Sequence, residues 1–342
     1  MNIQSLLRKS LINIKPYSTA RDEFSGPAST YLDANENPYP TPYHRYPDPH
    51  QVKLRKTLAA LKNVDVSQIV FGNGSDEIID LLIRAFCEPG EDNVIIPQPT
   101  YGMYSICAQV NNVAVRTPPL SPSFELEEEE ILPYLDPHSK IIFLCSPNNP
   151  SGNLLAHSRI VDLFAHFEGL VVVDEAYIDF ASSGSFLNQL AQYPNLVVLQ
   201  TFSKAWGLAG LRLGVCFAHT EIIEILARIK PPYNINSITQ EIALNYMGNP
   251  GQKNQWVENI RNEKSRLQSA LEDMRMVKEV FPSEANFLLV RFDGAKAIYD
   301  SLAKSGIVVR DRSSLLHCSD CLRITVGTRE ENSFLIECLK KI

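Results

Sequence analysis

Short apolar runs recur between residues 68 and 217, and polar or amphipathic stretches separate them. These runs predict strands at 68–71, 93–96, 113–116, 140–145, 170–173, 196–200 and 213–217. Apolar residues at helical spacing predict helices at 50–61, 78–87, 99–109 and 124–135. Several of the strands are apolar throughout, which is typical of strands buried on both faces of a sheet. The pattern therefore predicts an α/β domain whose mainly parallel central sheet is flanked by helices.

The pattern changes after Pro231 and Pro232. Beyond them, the spacing predicts helices at 236–247, 255–274, 295–305 and 330–342, and strands at 286–292, 307–310 and 321–326. The last of these elements are typical of a small α+β domain. Ahead of the first strand, a short amphipathic helix is followed by a proline-rich loop. We therefore predict an N-terminal arm at 1–40 that contributes to the small domain or a lid, a large domain at 41–255 and a small domain at 256–342.

Composition and charge exclude several classes of protein. The chain has 342 residues, a formal net charge of −7 and seven scattered cysteines. An acidic chain without a basic stripe argues against nucleic acid as a partner, and an odd number of cysteines argues against a disulfide framework. The N-terminal residues mix charge with apolar side chains, so we expect neither a signal peptide nor a membrane span, and a cytoplasmic protein. Scattered histidines and a lone Cys318-x-x-Cys321 pair predict no metal site.

The candidate chemistry centres on Lys204, in the segment TFSKAWGLAGLRLG at 201–214. The apolar run 196–200 delivers this lysine to a strand end, where α/β proteins place their chemistry. Partial burial would lower the pKa of the amine and make it a nucleophile. Such an amine can form a Schiff base with a carbonyl, most commonly that of pyridoxal phosphate. Taken alone, however, a lysine after a strand is more often a solvated loop residue.

Three further groups suit the same chemistry. Asp174 ends the run 170–173, and a buried carboxylate there needs a partner such as a pyridinium N–H; a metal ligand or a helix cap is the alternative. Asn149, in an Asn-Pro turn, and Tyr177 could hydrogen-bond a ring oxygen, or they could serve the turn and the core alone. Gly72 and Gly74, in the segment 72–77, precede a helix start, and the exposed N–H groups of a helix start bind phosphate.

Two arginines supply positive charge. Arg212 follows Lys204 by eight residues and could reach a cofactor phosphate. Arg323 lies inside an apolar strand and therefore needs an anion. That anion could be a substrate carboxylate or phosphate, or the partner in a structural ion pair.

Eight short segments, in order along nearly the full chain, carry a family resemblance. They are LDANENP at 32–38, RYP at 45–47, GSDE at 74–77, PTYGMY at 99–104, SPNNP at 146–150, DEAY at 174–177, TFSK at 201–204 and LRITVG at 322–327. Together they resemble the fold-type I pyridoxal-phosphate aminotransferases, and in detail the histidinol-phosphate aminotransferases. The resemblance implies a large domain plus a smaller α+β domain, pyridoxal 5'-phosphate as cofactor, and a homodimer with shared active sites.

The resemblance also implies roles for individual residues. Lys204 would hold the cofactor as a Schiff base and then move a proton between substrate and cofactor, while Asp174 would pair with the pyridine nitrogen. The other cofactor-binding residues would be Ser75, Asp76, Tyr101, Asn149, Tyr177, Ser203 and Arg212, with Tyr46 supplied by the neighbouring subunit. The substrate-binding residues would be Arg323, Arg310, Tyr17 and Asn35. Arg323 would bind phosphate in one half-reaction and the carboxylate of glutamate in the other.

We therefore expect an aminotransferase of histidine biosynthesis. It would convert L-histidinol phosphate and 2-oxoglutarate to imidazole acetol phosphate and L-glutamate by a ping-pong mechanism. An aromatic amino-acid aminotransferase or a threonine-phosphate decarboxylase of the same fold is the alternative, since carboxylate and phosphate both suit an arginine fork. A nicotinamide-dependent dehydrogenase is disfavoured because position 77 is glutamate, not the third glycine of its fingerprint. The acidic balance argues against a cofactor-bearing regulator that binds DNA or a partner protein.

Overall fold

The computed structural model describes residues 3–19, 23–24, 26 and 29–342. Helices α1 to α10 are Val52–Lys62, Ser75–Phe86, Met103–Val110, Glu128–Ile131, His157–His166, Thr220–Ile229, Ser237–Met247, Pro250–Glu272, Ala295–Lys304 and Arg329–Leu339. Strands β1 to β11 are Ile69–Asn73, Asn93–Ile95, Ala114–Arg116, Ser139–Cys145, Leu170–Asp174, Leu196–Thr201, Leu213–Ala218, Val277–Val280, Phe287–Phe292, Arg310–Asp311 and Cys321–Thr325.

The larger sheet of the described chain has seven strands in the order β1-β7-β6-β5-β4-β2-β3. Strand β7 is antiparallel to both of its neighbours, and the remaining pairings are parallel. Side chains of a strand alternate between the faces of a sheet, so Val171 and Val173 lie in one apolar cluster and Val172 in another. Both faces are thus covered. The predicted α/β class, with a mainly parallel sheet flanked by helices, is confirmed.

The smaller sheet is antiparallel, in the order β10-β11-β9-β8. One of its faces carries Leu288 and Leu322 into a core that helices α9, α10 and the second half of α8 cover. The other face carries Leu289 and Cys321 into an apolar cluster of the large domain. The small sheet therefore lies between its own helices and the large domain. The predicted division between residues 255 and 256 falls inside α8, so that boundary remains a prediction.

The first described turns of the N-terminal arm pack on the large domain. Ile3 and Leu7 are buried in the same cluster as the apolar face of α2. The Arg8 N–H donates to the carbonyl of Ala85 at 3.0 Å. The predicted contribution of the arm to the small domain or a lid is not visible in these contacts and remains a prediction.

Two predicted elements differ from the structure. The helix expected at 124–135 is reduced to α4 and a 3-10 turn at Leu132–Tyr134. Phe124 has a φ of +63°, which a right-handed helix does not allow, and Phe124 and Leu126 are buried in a segment that precedes α4. Pro133 in addition has no N–H to donate. The strand expected at 307–310 pairs only at Arg310–Asp311.

Helix α8 links the two domains through Arg261. Its guanidinium donates to the carbonyl oxygens of residues 179–181 in the large domain, at 2.7 to 3.4 Å. Lys253, which lies nearer the start of the same helix, pairs with Asp179 at 2.8 Å. The first half of α8 is therefore fixed to the large domain, while Leu267 and Leu271 lie in the small-domain core.

Replacing Arg261 by methionine is expected to lower the free energy of unfolding by about 2 to 3 kcal/mol, because the carbonyl oxygens lose a charged donor. Urea unfolding followed by circular dichroism measures the change. The control is Arg275→Met in the exposed turn after α8, which should alter stability by less than about 0.5 kcal/mol. Equal stability of the two variants would contradict the linking role of Arg261.

Candidate active site

Lys204 lies just after β6 in a cavity of about 150 Å³. The cavity is also lined by eight of the residues predicted to bind a cofactor: Ser75, Asp76, Tyr101, Asn149, Asp174, Tyr177, Ser203 and Arg212. They come from the start of α2, from the segments that follow β4, β5 and β6, and from the loops before α3 and β7. Because parallel strands end at the same edge of a sheet, residues far apart in sequence meet here.

Asp174 is the last residue of β5 and is 3% exposed. Its Oδ2 accepts a hydrogen bond from the Tyr104 hydroxyl at 2.7 Å, and its Oδ1 accepts one from the Ala176 N–H at 3.0 Å. Burial raises the pKa of Asp174 to about 6, although both hydrogen bonds oppose the shift. Each carboxylate oxygen keeps a second lone pair. The group is therefore suited to a cationic N–H donor inside the cavity.

The turn from β1 to α2 is built for an anion. Gly74 has a φ of +79°, and its N–H donates to the carbonyl of Arg212 at 2.6 Å. Gly214 of β7 lies so close that a Cβ there would be 2.3 Å from the nitrogen of Ser75. The first N–H groups of α2 have no partner within the helix, and the helix dipole favours negative charge at this end. The two glycines thus bring Arg212 against a helix N-terminus.

Asp76 connects Arg212 with Tyr101. Its Oδ2 lies 3.3 Å from Nη2 of Arg212, and its Oδ1 accepts the Tyr101 hydroxyl at 3.0 Å. Burial, followed by the charge of Asp76, raises the pKa of Tyr101, so the hydroxyl stays protonated. This hydrogen bond fixes the Tyr101 ring at the cavity wall.

The amine of Lys204 lies among groups of both charges. Burial, followed by the positive charge of Arg323, lowers the pKa of Lys204, while Asp174 opposes the shift. Its Nζ lies 5.4 Å from the ring centre of Tyr177. A lower pKa raises the fraction of neutral amine at neutral pH, and the neutral amine is the nucleophile.

Arg323 reaches this site from the small domain. It lies in β11, donates from Nη1 to Oδ1 of Asn149, and is 5.2 Å from the ring centre of Phe287. Burial lowers the pKa of its guanidinium. Within the described residues no carboxylate forms an ion pair with it, so this part-buried cation can accept an anionic ligand.

Two of the predicted site residues lie in a separate cavity. Tyr46 and Asn35 line it together with Glu36, and Tyr46 stacks on Tyr233 with 4.5 Å between ring centres. Glu36 accepts the N–H of Tyr46 at 2.6 Å. Within one chain, therefore, Tyr46 and Asn35 are not brought to Lys204.

The remaining two predicted residues differ from each other in position. Tyr17 is 74% exposed and lines a cavity that contains Arg55 and Lys230, apart from the site around Lys204. Arg310 is exposed and lies opposite Arg323 in the β10–β11 ladder. Of the predicted substrate-binding residues, only Arg310 is thus a neighbour of Arg323 within the chain.

Sequence reasoning assigned no role to two residues that shape the site. Tyr104 is completely buried and holds Asp174 through its hydroxyl. Its position three residues after Tyr101, in the segment PTYGMY at 99–104, is the signal that could have found it. Thr201 accepts the N–H of Ser203 at 3.1 Å and donates to the Ser203 hydroxyl at 3.0 Å. A threonine at a strand end gives no such signal.

Comparison with known proteins identifies the family. The family model "Aminotransferase class I and II" matches residues 33–339. The chain belongs to the class I and II aminotransferases. This aminotransferase is 52% identical over 341 residues to the histidinol-phosphate aminotransferase of Parabacteroides distasonis, covering 100% of this chain and 99% of the relative. It is 50% identical over 343 residues to that of Cytophaga hutchinsonii, covering 99% of both.

A solved structure agrees with this assignment. The histidinol-phosphate aminotransferase of Clostridium acetobutylicum superposes with a TM-score of 0.80 at 26% sequence identity, covering 87% of this chain and 90% of that one. In the described part of this aminotransferase, no helix is long and apolar enough to cross a membrane. The same residues contain no group of three His, Cys, Asp or Glu placed to hold a metal ion, and Cys318 and Cys321 are free thiols.

The raised pKa of Asp174 predicts how the stability of the cofactor-free protein depends on pH. Its pKa is about 6 in the folded protein and 3.8 for an ordinary aspartate, so the folded protein binds the proton more tightly than the unfolded chain does. Stability should therefore fall as pH rises from 4 to 6, by roughly 2 to 3 kcal/mol relative to Asp174→Asn. Urea unfolding of both proteins at several pH values measures the difference.

Asp136→Asn is the matched control for this experiment. Although burial opposes the shift, hydrogen bonds from Asn93 and neighbouring donors lower the pKa of Asp136 to about 2. The difference between wild type and Asp136→Asn should therefore change with the opposite sign as pH rises through 4. A constant difference between wild type and Asp174→Asn from pH 4 to pH 7 would contradict the raised pKa.

Proposed function

We propose that this chain is a pyridoxal-phosphate-dependent aminotransferase that moves an amino group between L-histidinol phosphate and 2-oxoglutarate. This proposal rests on the similarity of the chain to histidinol-phosphate aminotransferases over its full length, with about half of all positions identical. A likeness confined to the fold would leave the substrate open, because one fold serves many reactions. Identity at this level across both domains also favours this reaction over the aromatic aminotransferase and phosphothreonine decarboxylase alternatives.

The residues around Lys204 fit pyridoxal phosphate. Because position 214 is glycine, β7 approaches the start of α2 closely, where a Cβ would meet the Ser75 nitrogen at 2.3 Å. Arg212 and Ser203 line the same cavity as this helix start, whose N–H groups suit a phosphate. The buried carboxylate of Asp174 suits a protonated pyridine nitrogen, and the Tyr101 ring provides an aromatic wall. When bound, the cofactor supplies an electron sink for the carbanion formed at the substrate Cα.

In this mechanism Lys204 acts twice. Its partly buried amine, with a lowered pKa, is the nucleophile that holds the cofactor between turnovers. Once the substrate amine has released it, Nζ would be placed to take the proton that leaves the substrate Cα and to hold it for the later return. Asn149 and Tyr177 lie beside this amine and would hydrogen-bond the phenolic oxygen of the cofactor.

Asp174 would keep the ring nitrogen of the cofactor protonated, and Arg323 would orient the substrate. A carboxylate fixed by Tyr104 and Ala176 does not need to reorganise when charge develops on the ring. The guanidinium of Arg323, now bound to the Asn149 amide oxygen, would take the substrate phosphate in one half-reaction and a carboxylate of glutamate in the other. Arg310 is its neighbour across the ladder.

We further propose a homodimer in which Tyr46 completes the site of the neighbouring subunit. Tyr46 lies in a cavity apart from its own Lys204. The segment around it exposes several large apolar side chains: Tyr31, Leu32, Tyr39, Tyr43 and Tyr46, with Leu32 at 89%. Such a cluster is typical of a surface that another protein covers. Tyr17 and Asn35 would act from the N-terminal arm. With its seven cysteines all buried free thiols, the enzyme fits the reducing cytoplasm.

A single half-reaction tests the reaction and the substrate together. The purified enzyme is mixed with L-histidinol phosphate without any keto acid, and the visible absorption of the bound cofactor is followed. We expect rapid conversion with L-histidinol phosphate and much slower conversion with phenylalanine or phosphothreonine. Lys204→Ala should remain folded and lose turnover by at least about 10³-fold. A faster response to phenylalanine would move the protein to aromatic transamination.

Subunit mixing tests the position of Tyr46. Tyr46→Phe is expected to weaken cofactor binding about tenfold through loss of a phosphate hydrogen bond. When Tyr46→Phe and Lys204→Ala are unfolded together and refolded, a mixed dimer contains one site with both changes and one intact site. Activity at limiting cofactor should therefore exceed the mean of the separately refolded variants. Activity equal to that mean would contradict donation between subunits.

A further inference from the structure

Three arginines share one face of the small-domain sheet. Arg310 lies directly opposite Arg323 in the β10–β11 ladder. The N–H of Arg312 donates to the carbonyl of Cys321 at 2.9 Å, so the ladder continues through Arg312. Since alternate residues of a strand point to the same side, Arg310, Arg312 and Arg323 lie on the face that packs toward the large domain.

A fourth arginine on this face, Arg291, has a structural role, because its guanidinium is paired within the chain. Arg291 lies opposite Cys321 in the β9–β11 ladder. Its guanidinium pairs with Glu279 at 2.7 Å and donates to the carbonyls of Ser319 and His317. These contacts of Arg291 stabilise the sheet and the adjacent loop.

Arg312 has no such partners. No side-chain hydrogen bond or ion pair to Arg312 is found among the described residues, and its Nε is buried without an acceptor. A buried donor without a partner is costly, and a guanidinium remains charged in a protein. Two further cations on the same face, Arg310 and Arg323, increase the cost. An anion between these side chains would relieve it.

Arg312 also lies close to the site around Lys204. Burial raises the pKa of Tyr177, whose ring lies 5.4 Å from Nζ of Lys204, and the charges of Arg323 and Arg312 both oppose that shift. In turn, burial and then Arg323 and Arg310 lower the pKa of Arg312 itself. The ladder register puts Arg312 on the same face as Arg323, and the charge effect on Tyr177 agrees with that placement beside the site.

We infer that Arg312 is a specificity-determining residue that binds the phosphate of the phosphorylated substrate together with Arg323 and Arg310. The inference rests on the proposed function. A phosphate monoester carries up to two negative charges on three acceptor oxygens, so several guanidiniums can bind it at once. A carboxylate is satisfied by one bidentate fork. Arg312 therefore favours the phosphorylated amine over glutamate, which shares the site in the second half-reaction.

The test uses holoenzyme in which the link between lysine and cofactor has been reduced with borohydride, so that ligands bind without turnover. Calorimetry measures the affinity for L-histidinol phosphate and for L-histidinol, which lacks the phosphate. Arg312→Gln should weaken binding of L-histidinol phosphate by about tenfold to hundredfold and leave that of L-histidinol within about twofold. Arg312→Lys, which keeps the charge but loses the planar fork, should fall between wild type and Arg312→Gln.

Arg275→Gln is the matched control, because it removes the same charge from an exposed turn beside β8, at the opposite edge of the sheet. It should bind L-histidinol phosphate as the wild type does. In the unreduced enzyme, Arg312→Gln should raise the Michaelis constant for L-histidinol phosphate more than that for glutamate, with kcat changed by less than about threefold.

The outcomes separate the two proposals. If the wild type prefers L-histidinol phosphate and Arg312→Gln binds it equally well, the role of Arg312 is overturned and the proposed function stands. Equal binding of both ligands by the wild type would overturn the proposed function and the role of Arg312 together. A similar loss for both ligands in Arg312→Gln would overturn phosphate selection in favour of a structural role.

Discussion

The site depends on a carboxylate that has lost its water. Asp174 ends a strand whose preceding residues are completely buried, so the sheet itself carries the charge out of solvent. Desolvation of this kind is tolerated only when hydrogen bonds or an opposite charge replace the water. Tyr104 and Ala176 supply two of the hydrogen bonds, and the open side of the group faces the cavity of Lys204. The buried carboxylate is therefore suited to a cationic N–H donor in that cavity.

Burial of the central strands also determines which features the sequence could predict. Strands β4 to β7 are continuous apolar runs, and burial on both faces leaves no other arrangement for them. The residues at their ends are fixed by the strands, so the run pattern alone suffices to bring Asp174 and Lys204 to the same edge. Strand β8 is not predicted from an apolar run, because its residues Val277–Val280 form an exposed sheet edge with little apolar character. The segment around Phe124 misleads because Phe124 and Ile131, seven residues apart and both buried, match a helical repeat although Phe124 lies outside the helix.

Sequence patterns do not predict interactions between side chains that are far apart in the chain. The pairing of Tyr104 with Asp174 joins residues 70 positions apart, and neither side chain alone indicates the other. Arg291 and Arg312 look alike in sequence, yet Arg291 pairs with Glu279, whereas Arg312 has a buried Nε without an acceptor and two other arginines nearby. Only register shows that Arg312 shares a face with Arg323. The positions of Tyr46 and Tyr17, away from their own Lys204, likewise depend on how the chain ahead of α1 packs and not on any local motif.

The charges around Lys204 also bear on the order of events. Burial lowers the pKa of Lys204, Arg323 lowers it further and Asp174 opposes the shift. The pKa of the amine therefore depends on both a cation and an anion of the site. An anionic substrate that pairs with Arg323 cancels much of that positive charge in a site of low polarity, where such effects are large. Under the proposed function, the Lys204 amine would then become a stronger base when a proton must leave the substrate Cα. Substrate binding and proton transfer would be coupled through Arg323.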